Sequence, residues 1–191
     1  MCNKPNNGSC MKYTTTKTAL GALCLVIGFA AQAQQGQSHG LYLEAGQARH
    51  HGATTDALTL GVRVPTDVRF FSGRLALSVD GYASRWHADA LPGARDAFTQ
   101  LGLVPMLRWR FGEGRSPWFV EGGVGVSYLV DGYRTRTKAF GSRWNFSDHL
   151  GLGYSFGRHE IGVYVKHVSN GGLDKPNPGE TFYQLRYGYA L

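Results

Sequence analysis

Thr181-Phe182-Tyr183-Gln184-Leu185-Arg186-Tyr187-Gly188-Tyr189-Ala190-Leu191 alternates without a slip, with Tyr183, Leu185, Tyr187, Tyr189 and Leu191 on one face and Gln184, Arg186 and Gly188 on the other. Successive side chains of a strand point to opposite faces, so this stretch is a strand with one aromatic, aliphatic side and one small or polar side. The same period of two recurs back along the chain, and no long run after the first 33 residues keeps helical periodicity. Eight segments result, from about Gly40 to Arg49, Asp56 to Val64, Gly73 to Trp86, Phe98 to Phe111, Pro117 to Leu129, Arg143 to Phe156, Glu160 to Ser169 and Thr181 to Leu191.

A soluble sandwich would turn the same apolar faces inward, so alternation alone does not separate it from a membrane barrel. Three features favour the barrel. An export signal precedes the strands, an aromatic-rich strand runs to Leu191, and the connections alternate in length. Short links such as Gly157-Arg158-His159 join strands two and three, four and five, and six and seven, while the stretches near residues 50 to 55, 87 to 97, 130 to 142 and 170 to 180 are mostly longer and more polar. Outer-membrane barrels have short periplasmic turns and longer outer loops. The expected fold is all-β, an eight-stranded antiparallel transmembrane barrel of the Gram-negative outer membrane.

The export signal is read from Met11, Lys12 and Lys17, the apolar run Ala19 to Ala31 and the small residues of Ala31-Gln32-Ala33, with cleavage after Ala33. Residues 1–33 are then an extension and signal, with Met11 an alternative start, and residues 34–191 the barrel. Cys2, Cys10 and Cys24 all precede the cut, so the mature chain has neither a disulfide nor a thiol nucleophile. Leu23 before Cys24 is too bulky for a lipid-anchor signal. The net charge of +7 falls to +4 once Lys4, Lys12 and Lys17 are removed, which gives no case for nucleic acid. His50, His51 and His87 lie in different loops without a paired acid, so neither a metal site nor a cofactor is expected.

With periplasmic ends, odd strands run outward and even strands return. His167 and Ser169 then lie at the outer end of strand seven, Glu180 opens strand eight, and Phe146 and Asp148 open strand six. His167 and Ser169 share the phase of Ile161, Val163 and Val165, whereas Gly162, Tyr164 and Lys166 point inward, so the pair faces lipid. Polar groups facing hydrocarbon lack partners, so function explains the pair better than stability does, provided the substrate is itself a lipid of that leaflet. A serine hydroxyl becomes a nucleophile when a base takes its proton and a third group fixes the base's tautomer. Ser169, His167 and Glu180 supply those roles, with Asp174 competing as the acid. Asn170, or the amides of Gly171 and Gly172, could stabilise the oxyanion, and Asn170 reads equally well as a turn residue.

Phe146-Ser147-Asp148, Gly157-Arg158-His159-Glu160-Ile161-Gly162-Val163, His167-Val168-Ser169-Asn170, Pro176-Asn177 and Glu180 together resemble the lipid A 3-O-deacylase (PagL) family. The likeness is dense over roughly the last 50 residues and covers the barrel in outline. It implies a catalytic His167, Ser169 and Glu180, support from Asn170, Phe146 and Asp148, a site on the barrel exterior, and no metal. The implied reaction is hydrolysis of the 3-position acyl ester of lipid A. Arg134, Arg136, Lys138 and Arg143 are basic outer-loop residues suited to the substrate's phosphates, although lysine and arginine are also common in solvated loops. The loop before Glu180 is one residue shorter than the family pattern, and alternation counted back from Leu191 puts Glu180 in the inward phase. Either a bulge rotates Glu180 outward or Asp174 takes its place. An outer-membrane phospholipase and a non-catalytic adhesin or structural barrel are the competing readings, and a homodimer is compatible with all three.

Overall fold

In the computed structural model, which describes residues 38–50 and 53–191, eight strands close on themselves in sequence order. They are β1 (Gly40–His50), β2 (Ala53–Phe70), β3 (Leu75–Ala88), β4 (Ala97–Arg110), β5 (Trp118–Leu129), β6 (Trp144–Phe156), β7 (His159–Ser169) and β8 (Glu180–Ala190). Each pairs antiparallel with its neighbours, and β8 returns to β1 through Gly40 opposite Ala190. Closure pairs every strand on both sides, the condition for placing a sheet in hydrocarbon. The expected signal and its cleavage site lie outside the described residues.

The side-chain phases follow the alternation. Leu58, Leu60, Val62 and Val64 are exposed along β2, while Thr59 and Arg63 between them are buried. Trp144, Phe146, Leu150, Leu152 and Phe156 do the same on β6. In a barrel this exposed apolar surface is the lipid-facing wall. The lumen is filled rather than open. Arg63, Arg108 and Arg186 interlock there with Glu44, Asp80, Glu121 and Glu160, for example Arg186 Nε to Glu44 Oε1 at 2.6 Å and Arg63 Nη2 to Glu121 Oε1 at 2.9 Å. Buried charges persist where each finds opposite charge and hydrogen bonds, which this network provides. Gly151 makes room for a ring inside: a Cβ there would sit 2.2 Å from Tyr164 Cε1.

Two departures from the alternation pattern have physical causes. β2 continues to Phe70 instead of ending at Val64. Pro65, which has no N–H to donate, reads as a strand stop, but the ladder slips between Pro65 and Arg69 and then resumes. The Thr66 hydroxyl spans the slip by donating to the Leu77 carbonyl at 2.9 Å. At the other end, β1 and β2 stay paired up to His50 opposite Ala53, so strand pairing takes in most of the stretch expected as a loop near 50–55. The remaining connections at that end, 89–96, 130–143 and 170–179, are the long ones, while 71–74, 111–117 and 157–158 lie at the opposite end.

Those long loops fold over the barrel mouth. Trp86, Phe98, Leu129, Tyr133, Phe140, Val168 and Phe182 form a buried cluster there. Tyr133 contributes a ring to Trp86, Phe98 and Phe140 at centroid distances of 5.3, 4.9 and 5.1 Å. Loop 130–143 is also tied to loop 170–179, because the Gly141 amide donates to the Pro176 carbonyl at 2.7 Å. The upper ends of β6, β7 and β8 are thereby held by a packed cap.

Candidate active site

Register, more than sequence proximity, decides what meets His167. On β6 its partner is Asp148, and on β8 its partner is Thr181. Ser169 lies opposite Phe146. The ladder between β7 and β8 runs unbroken from His159 opposite Tyr189 to Val168 opposite Glu180, with no bulge. His167 and Ser169 therefore share the outer face, half-buried, continuous with Val163 and Val165.

The His167 Nδ1 atom is hydrogen-bonded to Thr181 Oγ1 at 2.8 Å. The ring's other edge lies against Gly179, where a Cβ would stand 2.8 Å from Cε1 and 3.2 Å from Nε2. Gly179 also has φ +65, a left-handed conformation that glycine adopts without strain. Both properties let the loop close onto the imidazole. Gly171, with φ +65, packs in the same manner on Phe146, whose Cε2 a Cβ would approach to 3.0 Å.

The expectation that Glu180 reaches His167 needs correction. Glu180 is the inward neighbour of Val168 and is 2 % exposed. Its Oε1 accepts from Lys138 Nζ at 2.9 Å and its Oε2 from the Tyr133 hydroxyl at 3.0 Å. Burial and the adjacent Glu180 carboxylate both push the Tyr133 phenol above its usual pKa, so Tyr133 remains a proton donor to that carboxylate. Asp174 does not take the place either: its Oδ1 accepts from the Lys175 amide at 2.8 Å and its side chain is exposed. Among the described residues, the group on His167 is a hydroxyl.

Lys138 also differs from its expected phosphate role. It is buried, and besides Glu180 its Nζ donates to the Gly179 carbonyl at 2.8 Å. Arg134, Arg136 and Arg143 of the same loop are exposed. Asn170 is a loop organiser: its backbone N–H donates to Asn177 Oδ1 at 3.0 Å, its Nδ2 to the Asp174 carbonyl at 2.8 Å, and its Oδ1 accepts from the Gly172 amide at 2.9 Å. The Gly171 amide makes no hydrogen bond among the described residues. Just below the pair, Leu150, Leu152, Val163, Val165, Tyr183 and Leu185 line an apolar concavity of 670 Å3 on the outer wall.

Sequence reasoning missed Thr181, Gly179 and the clasp of Tyr133 and Lys138 on Glu180. The first was within reach, since a phase count that turns Glu180 inward turns Thr181 outward. The clasp was not, because loop 130–143 has no periodicity and its contact with Glu180 spans 47 residues.

A closed antiparallel barrel with an apolar outer wall and a filled polar lumen defines a class, the outer-membrane β-barrels. Residues 56–190 match the sequence model of the family described as Lipid A 3-O-deacylase (PagL). The chain is 32% identical over 180 residues to lipid A deacylase PagL of Bordetella bronchiseptica, covering 92% of this chain and 96% of that protein. It is 35% identical over 88 residues to lipid A deacylase PagL of Pseudomonas aeruginosa, covering 46% and 50% respectively. Among solved structures, the crystal structure of the outer membrane enzyme PagL superposes with a TM-score of 0.67 at 27% identity, covering 80% of this chain and 99% of that one. The Yersinia pestis outer membrane protein Ail superposes with a TM-score of 0.51 at 13% identity, a likeness of fold alone. The chain belongs to the lipid A 3-O-deacylase (PagL) family and is an outer-membrane barrel.

Proposed function

We propose that the barrel hydrolyses the ester of the 3-position acyl chain of lipid A, with Ser169 as nucleophile and His167 as base. The supporting observation is a serine and a histidine side by side on a wall that otherwise meets hydrocarbon, in a chain of this family. Nδ1 is engaged by Thr181, so Nε2 is the nitrogen left for the serine proton. As the Ser169 hydroxyl gives its proton to Nε2, Oγ bonds the ester carbonyl carbon and the carbonyl electron pair moves onto oxygen. Collapse expels the sugar oxygen, which takes the proton from the imidazolium. Water, deprotonated by the same nitrogen, then cleaves the acyl-serine and releases a 3-hydroxy fatty acid.

The oxyanion needs donors close to Ser169. The Gly171 amide is free for this, and the Asn170 amide group retains one N–H beyond the one given to Asp174. The apolar concavity below the pair has the volume and apolar lining for an acyl chain lying along the wall. Phe146 flanks Ser169, and Asp148 flanks His167 as an acceptor for a substrate hydroxyl. Arg134, Arg136 and Arg143 stand exposed above, where lipid A carries phosphate.

Purified protein incubated with lipid A and, in parallel, with phospholipid, each with and without chelator, tests this reading. It predicts release of 3-hydroxy fatty acid from lipid A alone, chelator or not. Chelator-sensitive release from phospholipid would mark a phospholipase, and no change in either lipid a non-catalytic barrel.

A further inference from the structure

We infer that Thr181 is the residue that positions His167, in place of a carboxylate. The inference rests on the Ser169 and His167 assignment above and deepens it. Three observations converge. Thr181 is the cross-strand partner of His167 in an unbroken ladder, both side chains lie on the outer face, and Oγ1 stands 2.8 Å from Nδ1. In this geometry the threonine oxygen accepts from Nδ1–H, which holds the imidazole in the tautomer with a bare Nε2, the nitrogen that lies against Gly179.

Glu180 and Asp174 are otherwise committed. Both Glu180 oxygens are bonded, one to Lys138 Nζ and one to Tyr133, behind the wall. Turning Glu180 outward would strand the buried Lys138 ammonium and push Val168 and its neighbours out of phase with the lumen. Asp174 caps its own loop at the Lys175 amide. Asp148 stands on the opposite flank of the ring, across from the Thr181 side. A hydroxyl supplies orientation and a dipole but not a full negative charge. This site therefore holds its base in register while stabilising the imidazolium less than a carboxylate does.

Steady-state hydrolysis of lipid A by the full-length protein in detergent, followed across the pH range of imidazole titration, tests this. Folding of each variant is checked by heat-dependent gel migration. Thr181→Val, nearly isosteric, is expected to lower kcat about ten- to hundredfold with KM unchanged, the effect of losing one hydrogen bond to a group that becomes charged. Thr181→Ser is expected to recover most of the rate. Thr181→Asp places a carboxylate on the ring, so the acid limb of the kcat profile should move to higher pH. The pair Glu180→Gln with Lys138→Met removes both inner charges together and should leave kcat and the acid limb as in the parent.

A Thr181→Val protein as active as the parent would overturn the inference. So would a collapse of kcat with a displaced acid limb in the Glu180 and Lys138 double variant, or in Asp148→Asn, while Thr181→Val stays active. His167→Ala and Ser169→Ala run alongside separate the two levels. If both are inactive and Thr181→Val is not, the positioning role alone fails. If either retains full activity, the nucleophile and base assignment fails first.

Discussion

Two serine and histidine pairs lie one strand apart in this barrel. Ser147 and His149 on β6 face the lumen, and His167 and Ser169 on β7 face lipid. By hydrogen-bond geometry the inner pair is the better formed: Ser147 Oγ is 3.0 Å from His149 Nε2 and 2.7 Å from the Tyr82 hydroxyl. Yet Ser147 is fully buried and His149 is 5 % exposed, behind a continuous wall. No ester can reach them, and their bonds satisfy polar groups that would otherwise be orphaned. The outer pair makes no hydrogen bond between Ser169 and His167, whose ring is held by Thr181, but it stands beside an apolar concavity and a loop with a free amide. One residue of strand phase separates a structural network from the proposed site.

That contrast can be broken most sharply by removing each pair in turn. Ser169→Ala and His167→Ala should each lower kcat at least about 10³-fold, since members of a nucleophile and base unit fail together. Gel migration should show that both barrels remain folded. Retention of rate by either variant would leave the outer pair no more catalytic than the inner one. The next largest effect concerns the clasp behind the site. Lys138→Met leaves the Glu180 carboxylate buried without its counter-charge, which should destabilise the barrel by about 3 kcal/mol in denaturant unfolding. An unchanged unfolding midpoint would show that the loop cap is not held there.

Gly179→Ala probes how tightly the loop closes on His167. A methyl group 2.8 Å from Cε1, on a residue with φ +65, must displace either the ring or the loop. Misplacing a base by about 1 Å costs up to roughly a hundredfold in rate, so kcat should fall about tenfold or more. Ser147→Ala should have the smallest effect. It removes one hydrogen bond from Tyr82 and one from His149, costing about 1–2 kcal/mol of stability, with lipid A hydrolysis unchanged. A loss of activity there would merge the two pairs into one network.

The same phase argument explains which parts were legible in the sequence. Strand positions and faces could be counted because hydrocarbon on one side and a filled lumen on the other force strict alternation. The count also places His167 and Ser169 outward and Glu180 inward. Family likeness pulled the reading of Glu180 the other way, toward the ring, and the unbroken β7 to β8 register settled its direction inward. Lys138 looked like a loop cation free for phosphate because its buried partners come from distant segments. The continuation of β2 past Val64 was not legible because a hydroxyl bond in place of a backbone donor leaves no mark in the pattern.

What matters most is whether the lipid-facing serine acts on the lipid around it. The direct measurement is the mass of lipid A extracted from cells making the parent chain or Ser169→Ala at equal levels in the outer membrane. Loss of one 3-hydroxyacyl group with the parent, and intact lipid A with the variant, is the predicted result. Unaltered lipid A with the parent, or the same loss with Ser169→Ala, would contradict it.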